Sequence, residues 1–204
     1  MKFIGIDLAG VETRDSGICI LDEELDAKVF ILRSDGEIID FIIKVRPDII
    51  AIDAPLSLPF GRCCLKDTCS CRNKGHLRQC DRELLKMKIK FFPITLGPMR
   101  KLTERGIRLK EIIEEKDFKV IEVYPGGAQD MLGIPRKQKG IDELRKGLMK
   151  IDVKGISKVI SHDELDAITS ALVGKMYIEG DYLALGNPEE GLIIMPKKFH
   201  IRIH

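Results

Sequence analysis

The sequence predicts a mixed α/β domain built on one sheet with both antiparallel and parallel strands. Three observations carry this. The chain opens with three short strand signals, residues 2–8, 16–21 and 27–33, separated by the turn-forming stretches GVETRDSG and DEELD. Two later runs, 48–53 (DIIAID) and 118–124, are nearly continuously apolar and end at Ala54-Pro55 and Pro125-Gly126-Gly127, as buried parallel strands do. Segments with helical periodicity lie between and after them.

In order, the first three strands read as an antiparallel meander. Residues 36–46, with Ile38, Ile39, Ile42, Ile43 and Val45 apolar, fit an amphipathic helix or a further strand. About sixty residues separate the two apolar strands, far more than one crossover needs. They begin with a Cys-rich loop at 61–80 and continue into basic helical segments near 81–90 and 98–115. A Cys-rich, basic helical insertion at 61–117 inside a single domain spanning 1–204 is the expected organisation. A glycine loop follows Glu122, then a short helix near 139–150, a helix over 162–178 and a mostly extended tail over 191–203. Ser161 and Glu164 have capping-box spacing, so the late helix begins at His162.

Composition narrows the class. With 44% hydrophobic and 32% charged residues and no apolar run near the roughly 18 residues of a membrane span, the expectation is a soluble, cytoplasmic protein without a membrane partner. Richness in Ile, Lys and Glu, with only three Gln, two Asn and no Trp, leans towards a thermophilic source. The net charge of +2 hides a strong asymmetry. Residues 1–61 hold 6 basic and 12 acidic side chains, whereas residues 62–110 hold 14 basic and 4 acidic. A basic middle beside an acidic centre suits a polyanionic partner. A solvated surface with scattered Lys and Arg is the plainer alternative.

The acidic centre is the strongest functional signal. Asp7 lies inside FIGIDLAG, Asp53 ends DIIAID, and Glu122 lies inside FKVIEVYP. Asp163 and Asp166 open SHDELDAITSALVG, three residues apart and so on one helix face. Ionised carboxylates among apolar residues are costly unless cations compensate them. Each also has a plain structural role available: Asp53 as a turn cap, Asp163 as a helix-dipole partner, Glu122 as the mate of a core arginine. Taken together, an early strand Asp, a parallel-strand Asp and a late helical Asp-x-x-Asp form the layout of the ribonuclease H-like fold. In that layout the first and fourth strands are neighbours and the late helix packs near their ends.

Over nearly its whole length the sequence also resembles an uncharacterised family, domain of unknown function 429. The matching stretches are GIDLAG, IAIDAPLSLP, LRQCDRELLK, VIEVYPGGAQDMLGIPRK and SHDELDAITSALVG. Members of this family are predicted ribonuclease H-like nucleases distantly related to Holliday-junction resolvases. The resemblance implies metal-binding roles for Asp7, Asp53, Asp163 and Asp166, with Glu122 at a further acidic position of the catalytic set. Within LRQCDRELLK it offers Arg78, Asp81 and Arg82 towards the site, Arg78 and Arg82 as phosphate ligands, because a guanidinium bonds two oxygens at once. Tyr124 is a candidate for stacking on a base. His162 is either a helper in leaving-group protonation or an exposed helix-end residue.

Oxygen-only ligands suit Mg²⁺ or Mn²⁺. Two such ions about 3.5–4 Å apart stabilise both attacking and leaving oxygens of a phosphodiester. The expected function is therefore a metal-dependent nuclease acting on nucleic acid. Two rivals stand beside it. One is a non-catalytic nucleic-acid-binding module. The other is an actin-like phosphotransferase or ATPase, which needs two copies of the fold and a closer Asp, Gly and Thr spacing than DLAGVET provides. Substrate type and oligomeric state, a homodimer included, stay open.

Five of six cysteines fall within 18 residues: Cys63, Cys64, Cys69, Cys71 and Cys80. Cys19 stands apart as a small strand hydrophobe. The cluster admits a structural Zn²⁺, held by Cys69, Cys71, His76 and Cys80 or by Cys63 or Cys64 with Cys69, Cys71 and Cys80. Disulfides or free thiols are the alternatives.

Overall fold

The computed structural model describes residues 1–197. Its meander comprises β1 (Lys2–Asp7), β2 (Ser16–Asp22) and β3 (Ala27–Leu32). Helix α1 (Asp35–Val45) follows, which decides the ambiguity at 36–46. Ser34 and Glu37 form a full capping box at its start, and Ile38 and Ile42 face the core. Next come β4 (Ile49–Asp53), α2 (Gln79–Lys86), α3 (Gly97–Glu114), β5 (Val120–Val123), α4 (Pro125–Leu132), α5 (Ile141–Lys150), α6 (His162–Glu179), β6 (Tyr182–Asn187) and β7 (Gly191–Pro196).

The seven strands form one mixed sheet in the order β3-β2-β1-β4-β5-β7-β6. β1 runs parallel to β4, β4 to β5 and β5 to β7, while the meander and the β6–β7 hairpin are antiparallel. Alternation along the strands divides the core. Phe3, Ile49, Ala51, Ile121 and Val123 pack with α4, α5 and α6 on one face. Ile4, Ile6, Ile50, Ile52 and Val120 pack with α1 and α3 on the other.

Helix α6 lies directly on β1 and β2. A Cβ added at Gly5 would fall 2.0 Å from the Ala167 carbonyl oxygen, and one at Gly17 2.1 Å from that of Asp163. Glycine at both positions therefore sets the helix's height above the sheet. Its capping box is formed as expected: the Glu164 N–H donates to Ser161 Oγ (3.1 Å) and the Ser161 N–H to the Glu164 carboxylate (2.7 Å).

Two expectations need correction. Pro125-Gly126-Gly127 is not a loop but the first turn of α4, because Pro125 at the first helical position brings a preset φ. Helix α3, expected inside the insertion, is the crossover between β4 and β5, and its Leu109 and Ile113 are core residues. The extra material is therefore concentrated in the loop after β4 and α2. The expected extended tail is found as β7, which pairs in a hairpin with β6, a strand that carries no clear sequence signal. The expected extension beyond 197 lies outside the described residues.

Candidate active site

Asp7 and Asp53 are register partners at the ends of neighbouring parallel strands. Two residues beyond Gly5 and Ala51, they stand on the side of the sheet that α6 covers. α6 begins at that end of the sheet and brings Asp163 and Asp166 in its first two turns. Four carboxylates from three separated segments therefore converge, as the sequence predicts.

At their centre is a residue the sequence did not single out. Lys137 Nζ lies 2.7 Å from Asp166 Oδ2. Its side chain lines two adjoining cavities: a 280 Å³ pocket that includes Asp53 and Asp166, and an open 530 Å³ groove that includes Asp7 and Asp163. The lysine's own pKa is raised, because Asp166, Asp7 and Asp53 outweigh the cost of burying the ammonium. One ammonium is too little for the group. Burial first, and then Asp166, push the Asp7 carboxyl up to about 8 despite Lys137. Burial and then Asp7 hold Asp53 well above the carboxylate range.

Gln129 is a second unforeseen member. Fully buried in α4, it donates from Nε2 to Asp166 Oδ1 (2.8 Å) and to Thr169 Oγ1 (3.2 Å). Its Oε1 has no hydrogen-bond partner, although Gln129 lines the pocket. Both residues lie in VIEVYPGGAQDMLGIPRK, beyond the strand end and the side chains of Glu122 and Tyr124. A polar amide on a helix's apolar side was the available signal for Gln129. Lys137 in a Lys-rich turn had none.

Glu122 lines the 280 Å³ pocket with Asp53 and Asp166 and adds to the charge that raises the Asp53 pKa, but it stands on a different face of the sheet from the four. It pairs in register with Ile52, and its neighbour Val120 packs under α1 and α3, so the pleat directs it to the opposite face from Asp53. There it meets Arg78, which is only 1% exposed. Arg78 Nη1 and Nη2 each donate to one Glu122 oxygen at 2.7 Å, and Nε and Nη2 reach Asp81 at 3.2 and 3.0 Å. The Leu56 N–H also donates to Glu122 (2.7 Å). Arg78 is thus saturated by Glu122, Asp81 and Ser57, which removes it as a free phosphate ligand. Arg82 is exposed and donates to the Leu77 carbonyl, outside the pocket lining.

Tyr124 does line the pocket, with Phe91, Phe92 and Arg136. Its hydroxyl donates to the Lys90 carbonyl (2.6 Å), and the Arg136 guanidinium lies 5.7 Å from its ring centre. His162 is an exposed residue at the start of α6. The basic segment also supplies a buried anchor: Arg105 bonds Asp35 (2.7 Å) and the Ala9 carbonyl (2.6 Å), tying α3 to the end of β1. With Arg78 and Arg105 buried, Lys66, Lys74, Arg82, Lys86, Lys90 and Lys101 still leave an exposed basic surface.

Cys63, Cys64, Cys69 and Cys71 gather with all four sulfurs within 4.8 Å of one another. Cys80 is excluded, contrary to expectation. It is buried in α2 against Leu84, Ile89, Leu185 and Met195, and burial pushes its thiol pKa up. His76 is not part of the set either.

A sheet of this order, with carboxylates at the ends of β1 and β4 and on the helix crossing them, defines a ribonuclease H-like domain. The chain belongs to the family described as "Protein of unknown function (DUF429)", which matches residues 5–190. Its fold is similar to that of Thermus thermophilus RuvC in complex with Holliday junction substrate, at 14% identity and a TM-score of 0.52, covering 88% of this chain and 96% of that one. A second Thermus thermophilus RuvC structure matches over the same shares at 14% identity and a TM-score of 0.46. No curated protein matches the chain. Among the described residues no helix is long and apolar enough to cross a membrane.

The four aspartates match a divalent cation in donor type, although among the described residues it is the cysteines, not these carboxylates, whose ligand atoms all lie within 4.8 Å of one another. The aspartates are hard oxygen donors, and burial first, then the neighbouring carboxylates, push Asp7 and Asp53 towards protonation despite Lys137.

Proposed function

We propose that this protein is a divalent-metal-dependent nuclease whose site is formed by Asp7, Asp53, Asp163 and Asp166. One observation carries the reading: carboxylates from β1, β4 and α6 converge in a cleft where a single lysine under-compensates them. Asp7 and Asp53 from the strands, with Asp163 and Asp166 from α6, would hold Mg²⁺ or Mn²⁺. When bound, the metal supplies an activated water and neutralises charge at the scissile phosphate.

The chain's own groups account for the rest. Arg14 and Arg33 line the groove beside Asp7 and Asp163 and suit the flanking phosphates. Phe91, Phe92 and Tyr124 give the adjoining pocket apolar walls for a base that leaves the stack. Gln129 fixes the orientation of Asp166. The exposed Lys and Arg of residues 62–110 steer and hold the nucleic acid backbone.

A second reading rests on the Lys137–Asp166 ion pair. An ammonium already among the acids would serve a nucleic-acid-binding module that needs no metal. Cleavage of single- and double-stranded DNA and RNA and of a four-way junction, with Mn²⁺, separates the two. Wild type is expected to cut at least one substrate, and Asp7→Asn and chelated protein none. Binding without cleavage, together with no Mn²⁺ heat in calorimetry, favours the module.

A further inference from the structure

We propose that Cys63, Cys64, Cys69 and Cys71 form a tetrahedral structural site for one zinc ion, separate from the carboxylate centre. The sulfur geometry carries this. Cys63 and Cys69 sulfurs are 3.7 Å apart, and so are those of Cys64 and Cys71. A tetrahedron with Zn–S bonds of about 2.3 Å has edges of about 3.8 Å. Bonded sulfurs in a disulfide lie about 2.05 Å apart. A multi-iron cluster spreads its thiolates over different metal atoms. Four sulfurs all within 4.8 Å of one another fit a single ion better.

The loop's make-up shows why it needs such a staple. Apart from a 3₁₀ turn at Ser70–Lys74, residues 61–77 have no regular structure. Leu65 and Cys71 are the buried apolar side chains there. So long a segment with so little apolar burial does not hold one conformation unaided. The backbone is nevertheless gathered round the sulfurs. Arg62 donates to the Cys64 and Gly75 carbonyls (3.1 and 2.7 Å), and Arg72 donates to that of Asp67 (3.2 Å). Lys66 and Lys74 lie in the same loop as these arginines, so the segment carries positive charge to offset a Zn(Cys)₄ centre of net charge −2. Loading the ion releases the thiol protons to solvent, so affinity rises with pH.

The position gives the site a purpose. The loop joins the end of β4, where Asp53 sits, to Arg78 at the start of α2. Asp67 holds Arg100, in the first turn of α3, through two bonds of 2.6 and 2.7 Å. Zinc would fix the path of the chain between Asp53 and Arg78, two residues of the pocket lining, without touching the reacting atoms.

The test uses the full chain, purified reduced, freed of metal and reloaded with Zn²⁺, with elemental analysis of the washed protein. About one zinc per chain is expected for wild type, Cys80→Ser and Asp7→Asn, and a loss of affinity of roughly tenfold or more for Cys64→Ser and Cys69→Ser. Wild type alone provides a second readout if those variants fail to fold. Its Co²⁺ form should show the intense charge-transfer bands of a four-thiolate site, and mercurial titration should release the ion as four thiols react. Zinc retained by Cys64→Ser and Cys69→Ser, two disulfides per chain in the native protein, or four freely alkylated thiols after zinc loading would each overturn the proposal. Because Asp7→Asn is expected to keep its zinc, failure here is distinct from failure of the nuclease reading.

Discussion

Replacing Arg78 with Met tests the assignment of Glu122 to a structural ion pair rather than to the metal site. Arg78 makes five side-chain hydrogen bonds, two to Glu122, two to Asp81 and one to Ser57, and is 1% exposed. The methionine fills much of the volume but strands two buried carboxylates. Breaking one side of a buried pair costs about 3–5 kcal/mol. Here the Leu56 N–H still serves Glu122 and the Arg78 backbone N–H still serves Asp81, so the middle of that range, about 4 kcal/mol, is expected. That is a large part of the roughly 5–15 kcal/mol available to a domain, so the variant should fold but unfold at much lower urea.

Glu122→Gln removes the partner charge, and in the double variant the two losses should fall short of their sum by about 1–3 kcal/mol. Equilibrium urea unfolding of the four proteins, metal-free, gives both numbers. A loss under about 1 kcal/mol for Arg78→Met, or a coupling below about 0.5 kcal/mol, would refute the ion-pair account. Calorimetry supplies an independent check. Glu122→Gln should leave Mn²⁺ affinity within about threefold, whereas loss of a true ligand costs tenfold or more.

Three further outcomes follow from the structure. Asp7 has a folded pKa of about 8, above the ordinary carboxylate value of about 3.9, so between those limits the folded chain binds more protons than the unfolded one. Stability of the metal-free protein should therefore fall as pH rises from about 4 to about 8, and Asp7→Asn should flatten that fall. Thermal melts across this window check it, and an unchanged slope in the variant counts against the burial argument. Gly5→Ala would press a methyl within 2.0 Å of the Ala167 carbonyl and 2.3 Å of the Ala171 nitrogen, both backbone atoms. A loss above about 3 kcal/mol, or no soluble protein, is expected. Gly36→Ala in α1, with nothing within 4 Å of the added carbon, should be neutral or stabilising by up to about 1 kcal/mol.

The sequence by itself determined the framework of this protein. Apolar runs that end in a carboxylate announce a strand terminus, so Asp7 and Asp53 were legible as neighbours once β1 and β4 were read as adjacent. Ser161 and Glu164 fixed where α6 begins, and spacing put Asp163 and Asp166 on one side of it. These are short-range facts, set by a period of two along strands, 3.6 along helices, and capping chemistry.

What only the tertiary structure decided depends on which groups meet across loops. Glu122 looked equivalent to Asp53, but the pleat put it on the opposite face, where Arg78 neutralises it. Lys137 comes from a turn between α4 and α5 that carries no periodic signal, yet it stands among the aspartates. Cys80 belongs to the dense cysteine run in sequence, but one turn of helix carries it into the core while four others converge. Coulombic and sulfur contacts act over a few ångströms in space whatever their separation along the chain. Their partners are therefore fixed by the path of the loops, which local pattern does not encode.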